Sequence, residues 1–218
     1  MVSRSPHVLL ALSGHGYGHL AQAAPVVNAL RAQVPGLQLS VCGSLPETVV
    51  AARITGEVDY HQAALDPVLC MRNAWEVDAP PSRQVYRAFH RDWPSGYQSD
   101  IELLRRLHPD LVLADIPYRV LLAAAAEELP TVALCSLNWA RIFSAYCDDG
   151  PEDRDIVEQM TRAYRSASAF LAPAPSIDMP ELDNVTAIDP IARTGVRQPS
   201  SILQQCAAGP GQRLVLVA

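Results

Sequence analysis

The strongest constraint on the fold is a set of short, uninterrupted apolar runs, each followed by a segment of helical length. His7-Val8-Leu9-Leu10-Ala11-Leu12, Leu37 to Cys42, Leu111-Val112-Leu113-Ala114 and Thr131 to Cys135 are too short for independent helices. They also lack the apolar-polar alternation of a strand with one wet face. Strands that are apolar on both sides need helices above and below, so these runs predict a parallel sheet covered on both faces, an α/β fold of Rossmann-like type. Helices are expected at about 19–33, 46–54, 118–129 and 152–166, and one or two over 82–107 with a kink at Trp93-Pro94-Ser95-Gly96. Short strands are expected at 58–60 and 169–172. Residues 62–81 carry no clear period and are expected to loop over the sheet edge. Residues 173–199 are Pro-rich, with weak local structure, as in a linker toward a second domain. Gln212 to Ala218 reads as a strand that begins and then runs out of chain.

The 218 residues, 49% of them hydrophobic, suffice for one large domain. A net charge of −6 with no run of Lys or Arg argues against a nucleic-acid partner. No apolar stretch approaches the roughly 20 residues that span a bilayer, and the N-terminus lacks the apolar core of a secretory signal, so a cytoplasmic location is expected. The five cysteines form no C-x-x-C pair, and Cys42 and Cys135 sit in strand-like runs where a thiol acts as a small core residue. His15 and His19 have the i, i+4 spacing of a metal pair, but no Glu follows the first His and part of the segment is loop, so no metal site is expected.

In open α/β sheets, ligands sit beyond the carboxyl ends of the strands. Those positions hold Ser13-Gly14-His15-Gly16-Tyr17-Gly18-His19, then Asp115-Ile116-Pro117-Tyr118, then Ser136-Leu137-Asn138-Trp139. A strand that feeds a Gly-rich loop and a helix is an anion-binding device, because Gly permits positive φ and close approach while the helix presents unpaired N–H groups. A dinucleotide site fits poorly: the spacing is G-x-G-x-G, and no acidic residue closes the second strand. A P-loop fails for want of Gly-Lys-Ser/Thr. Each polar residue keeps two readings. His19 is a base or a loop-bonding helix residue. Asp115 is a catalytic partner or a helix cap. His15 and Tyr17 line a cleft or shape the loop, and Asn138 and Trp139 contact a ligand or pack.

These three clusters together resemble the N-terminal half of GT-B glycosyltransferases, and most nearly the transferase-like region that precedes the kinase domain in L-arabinokinases, with its bacterial relatives. The resemblance covers about residues 7–197. It implies a Rossmann-like domain over 1–197 that binds the acceptor. Residues 198–218 would be the crossover and first strand of a donor-binding domain, carried in the same or a separate chain. A nucleotide sugar would be substrate, with no cofactor, and the acceptor a small molecule or glycoconjugate. By the same resemblance, His19 is the general base and Asp115 orients it, while Gly14, His15, Gly16, Tyr17, Gly18, Ser136, Asn138 and Trp139 line the ligand site. The related transferases often have Pro three residues after the His, where this chain has Gln22.

Two other functions remain compatible with the sequence. One is a non-catalytic sugar- or nucleotide-binding domain, or the partner-docking domain of a split transferase. The other is an NAD-dependent or epimerase-like enzyme that would bind its cofactor at the same loop.

Overall fold

The computed structural model describes residues 4–193, together with 202, 204–207, 209, 212 and 215. Among the described residues, seven strands form one parallel sheet: β1 His7–Leu12, β2 Gln38–Gly43, β3 Asp59–Gln62, β4 Leu111–Asp115, β5 Thr131–Leu134, β6 Ala169–Pro173 and β7 Val185–Ile188. Their spatial order is β3-β2-β1-β4-β5-β6-β7. β1 and β4 lie side by side, with Val8 opposite Leu111 and Leu12 opposite Asp115. The chain leaves β1 toward one edge and leaves β4 toward the other, so their connections part and open a crevice at the carboxyl ends.

The side chains of the central strands divide as a period of two requires. Leu9, Ala11, Val112 and Ala114 enter one core, and Val8, Leu10, Leu12 and Leu113 the other. The second core is closed by Leu20, Ala23 and Val27 of α1 (Gly18–Gln33) and Val50 of α2 (Glu47–Ala51). The first is closed by α3 (Ala79–Arg91), α4 (Trp93–Leu107), α5 (Arg119–Ala126), α6 (Trp139–Cys147) and α7 (Pro151–Arg165). Leu9, Leu10 and Leu12 are fully buried, each stabilising the fold by about 1.5–3 kcal/mol relative to exposure. A rigid sheet therefore fixes the strand ends that carry the site.

The sheet with helices on both faces is as the apolar runs predicted. Four local expectations are corrected. The kink expected within 82–107 is a break between two helices at Asp92, and Pro94 stands in the first turn of α4, where a missing N–H removes no helical bond. α5 stops at Ala126, before Glu128 turns into the left-handed region at φ 56°. α6 occupies a stretch for which no helix was expected. The Pro-rich passage contains a strand, β7, paired in parallel with β6. The proposed boundary at 197/198 and most of the strand expected over 212–218 lie outside the described residues.

Candidate active site

β1 ends at Leu12, and the next residue ties the two central strands together: the Ser13 N–H donates to the Asp115 carbonyl at 2.8 Å. Gly14 packs so closely on Ser44, just past β2, that a Cβ there would lie 1.9 Å from the Ser44 hydroxyl oxygen. Gly16 has φ +82°, the left-handed turn that glycine accepts without strain. Gly14 and Gly18 do not share it, so only one of the three loop glycines is needed for positive φ. Tyr17 is exposed and occupies the N-cap position of α1, and Gly18 opens the helix.

This loop delivers His19 into the crevice. Its ring Nδ1 lies 2.9 Å from Oδ1 of Asp115, the last residue of β4. Both side chains are buried, Asp115 completely. Asp115 Oδ2 is also buried, with no hydrogen-bond partner. Asp115 does not cap a helix: α5 starts with Tyr118 at its N-cap and no side-chain cap bond.

Burial of the His19 ring opposes its protonation, but the bond to Asp115, the Asp115 charge and the Asp66 charge outweigh that, and its pKa stands above 6.5. Burial likewise pushes the Asp115 carboxyl up to about 6, against the pull of His19. With Nδ1–H directed at the carboxylate, Nε2 keeps the ring's lone pair.

Two further residues join the pair that sequence reasoning did not select. Cys135, just past β5, places Sγ 3.8 Å from His19 Nδ1; burial and the Asp115 charge push its thiol pKa far up. Among the described residues, His19, Asp115 and Cys135 form a set of metal-capable donors within 4.8 Å of one another. The other residue is Asp66, buried in the loop after β3. Burial raises its pKa, while hydrogen bonds from Ser13, Trp139 and the Gly14 backbone act in the opposite direction. Its only sequence signal is an Asp-Pro step in a loop without periodicity.

The third loop closes the floor. Trp139 is buried, 5.2 Å edge-on from the His15 ring and 5.7 Å from the His19 ring. Asn138 is fully buried; its Oδ1 accepts from the Arg141 N–H and caps α6, and its Nδ2 donates to Glu181 at 2.9 Å. Both ends of that amide serve the fold, the packing role that sequence reasoning had kept open for it. His15 and Ser136 are partly exposed, and burial with the nearby His19 charge lowers the His15 pKa.

No protein-family model and no curated protein matches the sequence. Solved structures match the fold. The Phytolacca americana UGT2 complexed with UDP-2fluoro-glucose and pterostilbene aligns with a TM-score of 0.57 at 12% identity, over 96% of this chain and 58% of that one. A UDP-glucosyltransferase from Polygonum tinctorium capable of glucosylating indoxyl aligns with a TM-score of 0.57 at 13% identity, over 98% and 56%. The chain has a Rossmann-like α/β fold of GT-B type and spans somewhat over half the length of these neighbours. No helix among the described residues is long and apolar enough to cross a membrane.

Proposed function

We propose that this chain is the acceptor-side half of a nucleotide-sugar-dependent glycosyltransferase, nearest in kind to the transferase-like region of L-arabinokinases, and that it acts in the cytoplasm. The observation that carries this reading is the His19–Asp115 pair at the mouth of the β1/β4 crevice. Asp115 accepts the Nδ1–H and orients the ring, and Nε2 takes the proton of an acceptor hydroxyl as that oxygen attacks the anomeric carbon. The nucleoside diphosphate departs with the electron pair of the breaking bond. A single displacement of this kind inverts the anomeric centre.

The remaining residues divide by exposure. His15, Tyr17 and Ser136 face the acceptor, with Gly14, Gly16 and Gly18 keeping the loop low. Asn138 and Trp139 hold the floor in shape. The donor is bound by a second domain, in the same or a separate chain, and enters as substrate, with no resident cofactor.

The test is sugar transfer from a panel of nucleotide sugars by the polypeptide that carries the donor domain, or by the two chains mixed. His19→Ala should lower kcat by about 10²–10⁴-fold and leave donor binding unchanged. Equal turnover by the variant would remove the base, and no transfer from any donor would favour a non-catalytic sugar- or nucleotide-binding domain, or a docking domain.

A further inference from the structure

We propose that His19, Asp115 and Cys135 form a binding site for a thiol-seeking divalent cation, Zn²⁺ by its chemistry, and that occupancy switches the site off. The inactivation half of this proposal rests on the reading of His19 as base; the binding half does not.

The donor set comes from three strand ends brought together by the sheet. His19 follows β1, Asp115 closes β4 and Cys135 follows β5, and their donor atoms lie within 4.8 Å of one another. Zinc bonds of about 2.3 Å to sulfur and 2.1 Å to nitrogen, meeting at a tetrahedral angle, separate the two atoms by roughly 3.6 Å. The observed distance from Cys135 Sγ to His19 Nδ1 is 3.8 Å. The third ligand is the Asp115 carboxylate, whose Oδ2 is buried without a hydrogen-bond partner. A buried oxygen that lacks a donor loses the solvation it would have in water, and a cation restores it.

Imidazole with thiolate and carboxylate is a donor set suited to zinc, and three protein ligands leave a fourth position open. The two anionic ligands balance the ion's charge. On binding, the Cys135 thiol proton leaves to solvent and the His19 Nδ1 bond to Asp115 is replaced by a bond to the metal. The imidazole proton then resides on Nε2. The nitrogen that would have accepted a substrate proton becomes a donor, so the base is lost without any movement of the backbone.

The experiment is a Co²⁺ titration of the metal-free chain, followed by Zn²⁺ competition against a chromophoric chelator. A thiolate-to-cobalt charge-transfer band should develop at one equivalent. Cys135→Ser should remove that band and weaken Zn²⁺ binding by at least the ~10–100-fold that loss of a mere outer-shell partner costs. Cys206→Ser, at an exposed thiol, should change neither. Asp115→Asn should weaken binding and keep the band, which retains a test if the Cys135 variant does not fold. Absence of the band, or its survival in Cys135→Ser, overturns the site. A cobalt band in a protein whose transfer activity ignores His19→Ala keeps the metal site and removes the base. Loss of transfer in His19→Ala with no band does the reverse.

Discussion

The indole Nε1–H of Trp139 donates to Oδ2 of Asp66 at 2.9 Å, and this bond joins the loop after β3 to the first turn of α6 beneath His15 and His19. The same carboxylate takes hydrogen bonds from Ser13 and from the Gly14 backbone. One buried acid therefore pins both the Gly-rich loop and the aromatic floor.

Asp66→Asn should reveal that pin. An amide offers one acceptor oxygen where the carboxylate offers two, so at least one of three buried donors is left unpaired. The expected loss is about 1–3 kcal/mol, read as a lower urea midpoint with an unchanged slope. Increased protease sensitivity of the 13–18 loop should accompany it, whereas a wild-type midpoint would show that the loop holds itself.

A second prediction concerns acid. The His90 ring packs against Trp93 and Tyr118, at 5.2 and 5.7 Å, rings that themselves lie 6.0 Å apart, and bonds Gln159 and the Tyr118 hydroxyl. Burial lowers its pKa to about 4, against the pull of the Gln159 bond and with help from the Arg119 charge. An unfolded His titrates near 6.5, so between these values the unfolded chain binds the extra proton. The contribution of the neutral ring is complete above about pH 6.5 and is lost as pH falls toward 4. Its size is of order 1–3 kcal/mol once the partial exposure of the ring is allowed for. Urea midpoints at pH 7 and pH 4.5 should fall further for the wild type than for His90→Asn; parallel falls would assign the acid sensitivity elsewhere.

The third prediction rests on Arg119, buried against Asp100 with Nε 2.7 Å from Oδ2, its guanidinium 4.5 Å above the Phe89 ring. Removing the acid strands a charge, and Asp100→Ala should cost about 3–5 kcal/mol. The double variant Asp100→Leu/Arg119→Met should recover most of that, since a well-packed apolar pair replaces a buried ion pair at little net cost. Thermal unfolding of the single and double variants separates the pair's net worth from the penalty of breaking it. Gly96 leaves room for this guanidinium, because a Cβ there would sit 2.0 Å from an Arg119 Nη atom.

What the sequence disclosed and what it hid have the same origin. Leu9 to Leu12 and Val112 to Ala114 are buried on both faces, so their patterns state their surroundings directly, and the loops after them were legible as site. Asp66 and Cys135 looked ordinary because their importance is relational. An Asp-Pro step in an aperiodic loop does not announce that its carboxylate lies under Ser13. A Cys at the end of an apolar run looks like core until a histidine 116 positions away arrives at 3.8 Å. β7 was hidden by composition, since Val185–Ile188 is half-exposed and surrounded by prolines. Asp115 had two compatible roles, and only the N-cap of α5 at Tyr118 removed one of them.

The pairing of β1 with β4 has a consequence for how the protein comes into being. His19 and Asp115 are 96 residues apart in the chain, and their elements meet only after β2 and β3 have been laid on the other side of β1. Closing a loop of that size costs about 4 kcal/mol in chain entropy beyond a constant, and such long-range contacts slow folding. A ribosome that has not yet released β4 holds His19 without Asp115 beside it. The buried His19–Asp115 pair therefore exists only once the centre of the sheet has closed, so a half-made chain carries the histidine without its partner.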